Sequence, residues 1–254
     1  MEWRLMLKIE NLSKTYGDEI KYQALKGLNL TVNDGEFIGI MGPSGSGKST
    51  FLNLVATIDQ PTSGEIVLND KNPHKMDQEA IAKFRRRELG FVFQNFNLMP
   101  TLTVEENIIL PLTLDGEKIS VMKRKLNDLS GRLGIESLLK KRIAEISGGQ
   151  AQRVAVARAM IHQPQLLLAD EPTGNLDTKS SKDVMGLLQQ LNRGERATIL
   201  MVTHDPLAAS YCQRIVFIKD GQLVKEIRQL NGQKQFYDEI MVNLAEIEGV
   251  GNEF

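Results

Sequence analysis

The run Gly42-Pro43-Ser44-Gly45-Ser46-Gly47-Lys48-Ser49-Thr50 fits the spacing G-x-x-x-x-G-K-[ST], and residues of these types in this order can hold a polyphosphate. Glycines let the backbone fold tightly enough for successive N–H groups to converge on phosphate oxygens, and a helix that follows adds the positive end of its dipole. Lys48 is then placed to reach the β- and γ-phosphates of a nucleotide, and Ser49 to give its hydroxyl to Mg²⁺. A flexible glycine–serine turn would share the composition. It would not be expected between an apolar strand, Phe37–Met41, and a helix-like stretch, Phe51–Ala56, which is the context the spacing requires.

A second group of chemistry-bearing residues ends another apolar run, Leu166-Leu167-Leu168-Ala169-Asp170-Glu171-Pro172. Open α/β sheets place their ligands at the carboxyl ends of strands. Strand alternation sends adjacent carboxylates different ways, so Asp170 can hold Mg²⁺ through its water shell while Glu171 orients and polarises an attacking water. An isolated Asp-Glu pair is often only an acidic helix start. Joined to a phosphate loop, it implies that bound nucleotide is hydrolysed and not merely stored.

Both groups need strands beneath them. Short apolar segments at Leu5–Ile9, Leu28–Val32, Phe37–Met41, Glu65–Leu68, Leu89–Phe93, Leu166–Ala169, Thr198–Val202 and Arg214–Ile218 alternate with helix-like stretches, which predicts an α/β fold. Three of them, Phe37–Met41, Leu166–Ala169 and Thr198–Val202, are nearly continuous apolar runs, as central strands covered on both faces must be. Lys71–Glu88 and Val104–Met160 read as mostly helical, and Asn69–Asp70 and Asp220–Gly221 as turns. From Glu226 onward strand signals stop. Phe236, Ile240, Met241, Leu244 and Ile247 recur at helical spacing there, giving an amphipathic tail helix that packs on its own domain or docks on a partner.

Composition excludes several functions. With 31 Lys and Arg against 32 Asp and Glu, no general field draws the chain to a polyanion, and a nucleic-acid partner is not expected. Arg85-Arg86-Arg87, with Glu88 beside it, reads as a solvated helix face. The single Cys212 excludes an internal disulfide and fits a reducing compartment such as the cytosol. Residues 1–10 mix charged with apolar side chains and lack the apolar core of a signal peptide. No apolar run approaches the roughly 18–20 residues of a membrane helix, so a role at the membrane needs a partner.

Ile146-Ser147-Gly148-Gly149-Gln150 and the basic helix that follows, Ala151-Gln152-Arg153-Val154-Ala155-Val156-Ala157-Arg158-Ala159, narrow the class. With these motifs in order the chain resembles the nucleotide-binding domains of ABC transporters over residues 5–225; Ile146 stands where the family has leucine. The resemblance implies a P-loop NTPase, with a RecA-like core and antiparallel β subdomain at about 5–93 and 161–225, an inserted α-helical signature subdomain at about 94–160, and a helical tail at 226–254. Ser147 and the amides of Gly148 and Gly149 form an anion nest at a helix start. Together with Gln150 they face the phosphate loop of a second copy, so two sites form only in a head-to-tail homodimer closed by two ATP.

The same resemblance assigns further roles. Tyr16, with Tyr22 as the alternative, is the aromatic platform for adenine. Gln94, in Gly90-Phe91-Val92-Phe93-Gln94, senses Mg²⁺ and the attacking water and links the site to the helical subdomain. Asp177, in Asn175-Leu176-Asp177, contacts the opposite subunit, and His204, after Val202-Thr203, contacts the γ-phosphate. Lys48, Glu171 and His204 are then the catalytic set, with Mg²⁺ near Ser49, Gln94 and Asp170.

Residues 90–107 and 169–177 are similar to the branch of lipoprotein-release, macrolide-efflux and cell-division ATPases. Residues 202–212 and 232–240 look most like Bce-type ATPases, which defend Gram-positive bacteria against cell-wall-active peptides such as bacitracin. That implies an ATPase on the cytoplasmic face of the membrane, held by an integral-membrane permease and linked through it to a sensor histidine kinase. A lipoprotein-release or macrolide-efflux ATPase is the alternative. A soluble ABC ATPase acting on ribosomes or DNA is disfavoured, because the chain has neither a second cassette nor a long coiled coil before the signature.

Overall fold

The computed structural model describes residues 4–249. In chain order the elements are β1 (Leu5–Tyr16), β2 (Tyr22–Asn33), β3 (Phe37–Met41), α1 (Lys48–Val55), β4 (Ser63–Leu68), α2 (Gln78–Glu88), β5 (Leu89–Val92), α3 (Val104–Leu114), α4 (Ile119–Leu133), α5 (Gly148–Met160), β6 (Leu166–Asp170), α6 (Thr178–Glu195), β7 (Thr198–Val202), α7 (Pro206–Ala209), β8 (Arg214–Lys219), β9 (Gln222–Arg228) and α8 (Gln233–Glu248). One sheet is antiparallel, in the order β2-β1-β4; the other runs β5-β6-β7-β3-β8-β9. Its first five strands are parallel, and β9 closes one edge antiparallel to β8.

β3 takes the interior of the larger sheet because both of its faces are apolar. Ile38 and Ile40 point toward α1 and the smaller sheet, sharing a core with Leu7, Ile9, Leu25 and Phe51. Phe37 and Met41 point the other way, into a core built with Val154, Met185 and Phe236 from the helices. After β3 the chain travels out to the edge strand β5 and returns, so that β7 and β8 flank β3 last. Such a reversal of strand order opens a crevice at the strands' carboxyl ends.

The helical stretches divide where caps require it. In the segment 71–88 the α-helix begins only at Gln78, because the Asp77 side chain accepts from the Ala80 N–H and caps it there. Within 104–160, a Thr103–Glu106 capping box starts α3 and Gly134, at φ 63°, ends α4. Asn69 and Asp70 (φ 47° and 63°), and Asp220 and Gly221 (φ 51° and 79°), form left-handed turns.

Strand structure does not stop at Glu226. β9 runs through to Arg228, an edge strand in which only Ile227 is buried. Its alternation is masked by Lys225, Glu226 and Arg228, charges that an exposed edge tolerates. α8 packs on its own chain, with Phe236, Ile240 and Ile247 in the core beside Phe217 and Ile227. Met241 is exposed, contrary to the expected stripe, because the buried face follows Phe236, Ile240, Asn243 and Ile247. Positions 250–254 of the expected tail lie outside the described residues.

Candidate active site

Strand register assembles the site. Ile40, Val202 and Asp170 are partners across β3, β7 and β6, and Val92 of β5 pairs with Ala169. The segments that follow these strands therefore emerge along one edge. They carry Gly42 onward, Thr203 and His204, Glu171, and Gln94.

The loop from Gly42 to Gly47 is pressed against its own chain. A Cβ at Gly42 (φ 149°) would lie 2.0 Å from the Ile218 carbonyl oxygen, and one at Gly47 (φ 104°) 2.6 Å from that of Ala24. No other residue type fits these positions without moving backbone. Pro43, Ser44, Gly45 and Ser46 complete the turn, and α1 begins at Lys48, with Ser49 and Thr50 on its first turn. Lys48 is buried, and its Nζ donates to the carbonyls of Gly42 and Pro43 at 2.8 Å each. Burial pushes its ammonium below the usual lysine range, against the opposing pull of the Glu171 and Glu248 carboxylates. A cation held on a loop of carbonyls and amides, with acids nearby, is suited to a polyphosphate that supplies the missing negative charge.

Asp170 ends β6 half-buried, and burial, with the charge of Glu171 second, raises its carboxyl above the ordinary range. A nearby metal cation would favour the ionised carboxylate against both effects. The hard oxygens of Asp170 and Ser49 match Mg²⁺, which keeps several waters and needs few protein ligands. Among the described residues no cluster of three or more His, Cys, Asp or Glu gathers. Glu171 lies beyond the strand, and its direction is not set by strand alternation. It adopts a left-handed φ of 45°, and its N–H donates to the Val202 carbonyl at 2.9 Å. Such a conformation is costly for a residue with a side chain and marks a position held by its surroundings. Its Oε2 lies 2.5 Å from His204 Nδ1. Glu171 is sheltered and His204 is exposed, an arrangement in which the carboxylate can take a water's proton while the imidazole reaches outward.

Tyr16 and Tyr22 face each other as cross-strand partners. Tyr16 donates its hydroxyl to Asp59 at 2.8 Å under the ammonium of Lys14, while Tyr22 donates to the Gly45 carbonyl at 3.3 Å. Both rings remain partly exposed beside the loop.

The signature residues are elsewhere. Ser147 caps α5 by accepting from the Gln150 N–H, and Gln150 Oε1 accepts from the Ser147 N–H. Ser147, Gly149, Gln150 and Asp177 line a cleft of about 310 Å³ with Arg153 and Ser180, and no residue from 42 to 50 lines it. Asp177 spends its carboxylate capping α6, accepting from the N–H groups of Lys179 and Ser180 and the Ser180 hydroxyl. These hydrogen bonds, the Ser180 backbone first, hold it below the usual carboxylate range.

Other contacts were not legible in the motifs. Asn175 Nδ2 donates to the carbonyl of Gln94 and to Asn95 Oδ1, joining two loops of the edge. The end of α8 reaches the phosphate loop: Lys219 Nζ donates to the Ile247 carbonyl, and Ile247 and Glu248 line a cleft of about 350 Å³ with Pro43–Ser46. Arg85, Arg86 and Arg87 are engaged with the Thr57 carbonyl, the Leu114 carbonyl and Asp115. They serve the chain's own packing.

Comparison with known proteins bears on the chain as a whole. The family model for ABC transporter matches residues 25–174. The ABC transporter ATP-binding protein YxdL of Bacillus subtilis is 54% identical over 98% of this chain and 96% of its own length. The bacitracin export ATP-binding protein BceA of Halalkalibacterium halodurans is 45% identical over 98% of this chain and 99% of its own. Among solved structures, the dimeric post-hydrolysis state of the ATP-binding cassette MJ0796 of Methanocaldococcus jannaschii, bound to ADP and Pi, superposes with a TM-score of 0.80 at 40% identity, covering 88% of this chain and 98% of that one.

Proposed function

The chain belongs to the ABC transporter family as an ATP-binding, ATP-hydrolysing subunit, and we propose that it works as a head-to-tail homodimer driving a permease for resistance to, and sensing of, cell-wall-active peptide antibiotics. The observation that carries the specific reading is the match to BceA, which spans 98% of the chain and so takes in α8. The match to MJ0796 covers 88%.

In this reading Lys48 and the Gly42–Gly47 amides bind the phosphates, and Ser49 and Asp170 hold Mg²⁺, which supplies charge neutralisation at the β- and γ-phosphates. Glu171 takes the proton of the attacking water, and His204 orients Glu171 and meets the γ-phosphate. Gln94 ties this edge to the helical layer, and Tyr16 or Tyr22 stacks on adenine. The cleft at Ser147–Gln150, which no residue of the chain's own phosphate loop lines, is explained if it closes over the ATP of a second copy; the dimeric state of MJ0796, bound to ADP and Pi, supports a pairing of two copies. Asp177 then lies at the border between copies.

No helix among the described residues is long and apolar enough to cross a membrane, so membrane work requires a permease. A groove of about 390 Å³ lined by Phe91, Phe93, Leu110, Leu114 and Arg158 suits an amphipathic segment of that partner, which supports a position at the cytoplasmic face. A sensor histidine kinase is reached through the permease.

Replacing the chromosomal copy with Glu171→Gln tests the reading. Bacitracin tolerance is expected to fall to that of a deletion strain. Full tolerance with defective lipoprotein release or macrolide efflux would move the assignment to those systems.

A further inference from the structure

Two of the loops at the carboxyl edge are tied together by one side chain from the helical layer. Gln152, on the first turns of α5, is fully buried. Its Nε2 donates to the Pro172 carbonyl at 2.6 Å and to the Phe93 carbonyl at 3.3 Å. Pro172 directly follows Glu171, and Phe93 directly precedes Gln94. Because both targets are acceptors, only the amide nitrogen can face them, and the orientation of the side chain is fixed by chemistry. The other end of the amide has no partner among the described residues: Gln152 Oε1 is buried and accepts no hydrogen bond from them.

That orphan acceptor argues against a purely structural role. A buried polar atom without a partner destabilises, and a methionine of similar volume would fill the space without one. What methionine would not do is fix two carbonyls from loops 59 and 20 residues away in the chain. The same loops are joined a second time by Asn175, and a third time by close contact. Gly174 is packed so tightly on Gln94 that a Cβ there would lie 2.6 Å from its Nε2. Segments 93–95 and 171–175 are thus clamped into one unit, and Gln152 fastens that unit to the helix whose start is Ser147–Gln150.

We infer that Gln152 is a positioning residue: its amide holds Glu171 in its left-handed turn, in register with Gln94, and makes that geometry depend on where the start of α5 is held. The inference rests on the reading that Ser147–Gln150 close over the ATP of a second copy. A copy docked at one signature would then set the water-activating glutamate of the same chain, coupling the two sites of the dimer. No proton or group passes through Gln152.

Gln152→Met and Gln152→Glu test this in the purified full-length protein. For Gln152→Met, MgATP affinity is expected to stay within about twofold of wild type, kcat to fall at least about tenfold, and the Hill coefficient of hydrolysis to drop toward one. In Gln152→Glu, activity relative to wild type at the same pH is expected to recover as pH falls, because a protonated carboxyl regains a donor for the Pro172 carbonyl. A structural role alone would not produce that profile. Wild-type kcat and cooperativity in Gln152→Met would overturn the inference; if that variant does not fold, a pH-independent ratio in Gln152→Glu would overturn it instead. Adding Gln152→Met to Glu171→Gln separates the two layers. A dimer that forms with ATP in that background, beside an unaltered kcat in Gln152→Met alone, refutes only the role of Gln152. No ATP-dependent dimer even in Glu171→Gln alone refutes the shared site beneath it.

Discussion

The phosphate loop and the signature segment both set glycine-rich backbone at the start of a helix, yet the chain treats them oppositely. Gly42–Lys48 is enclosed: two glycines abut backbone carbonyls of the same chain, and the lysine is buried on the loop. Ser147–Gln150 is open, lining a cleft with Asp177, and its serine and glutamine cap only each other. One half-site is finished by its own fold, and the other lines a cleft to which the chain's own phosphate loop contributes no residue. The contrast predicts that a single chain binds nucleotide well and hydrolyses it poorly.

The largest expected effect falls on the enclosed half. Lys48→Ala removes the buried cation, and ATP affinity measured by titration calorimetry should weaken roughly a hundredfold, the scale of two lost charge-assisted hydrogen bonds. Retained affinity would break the comparison at its firmer end. Ser147→Ala should act on the open half alone. Loss of the cap costs about 1 kcal/mol of stability, ATP binding by the monomer is unchanged, and steady-state hydrolysis falls severalfold; weakened monomer binding would mean the two halves are not separate. The smallest effect is at the α8 end. Glu248→Gln removes a carboxylate beside the phosphate loop, so ATP should bind about twofold tighter at low salt, a difference that screening erases at high salt.

Much of this contrast could be read in the chain itself, and the reason is visible at β3 and β7. Both are buried on two faces, so unbroken apolar runs marked their limits, and the glycine loop and His204 follow at their ends. β9 escaped because its exposed edge carries charge where alternation would have shown. The direction of Glu171 escaped for a different reason: its left-handed turn is met by tertiary partners, among them the Val202 carbonyl 31 residues on, which no local pattern encodes. Gln152 reads in sequence as one more polar residue of a basic helix, and only the tertiary fold reveals the two carbonyls it holds.

The central claim, that catalysis needs a second copy, is tested most directly by the mass of Glu171→Gln in solution with ATP and Mg²⁺. Light scattering on the eluting peak should give a dimer with ATP and a monomer without it, because binding is intact and hydrolysis no longer reopens the pair. A species that stays monomeric at saturating ATP, with nucleotide demonstrably bound, would contradict the account.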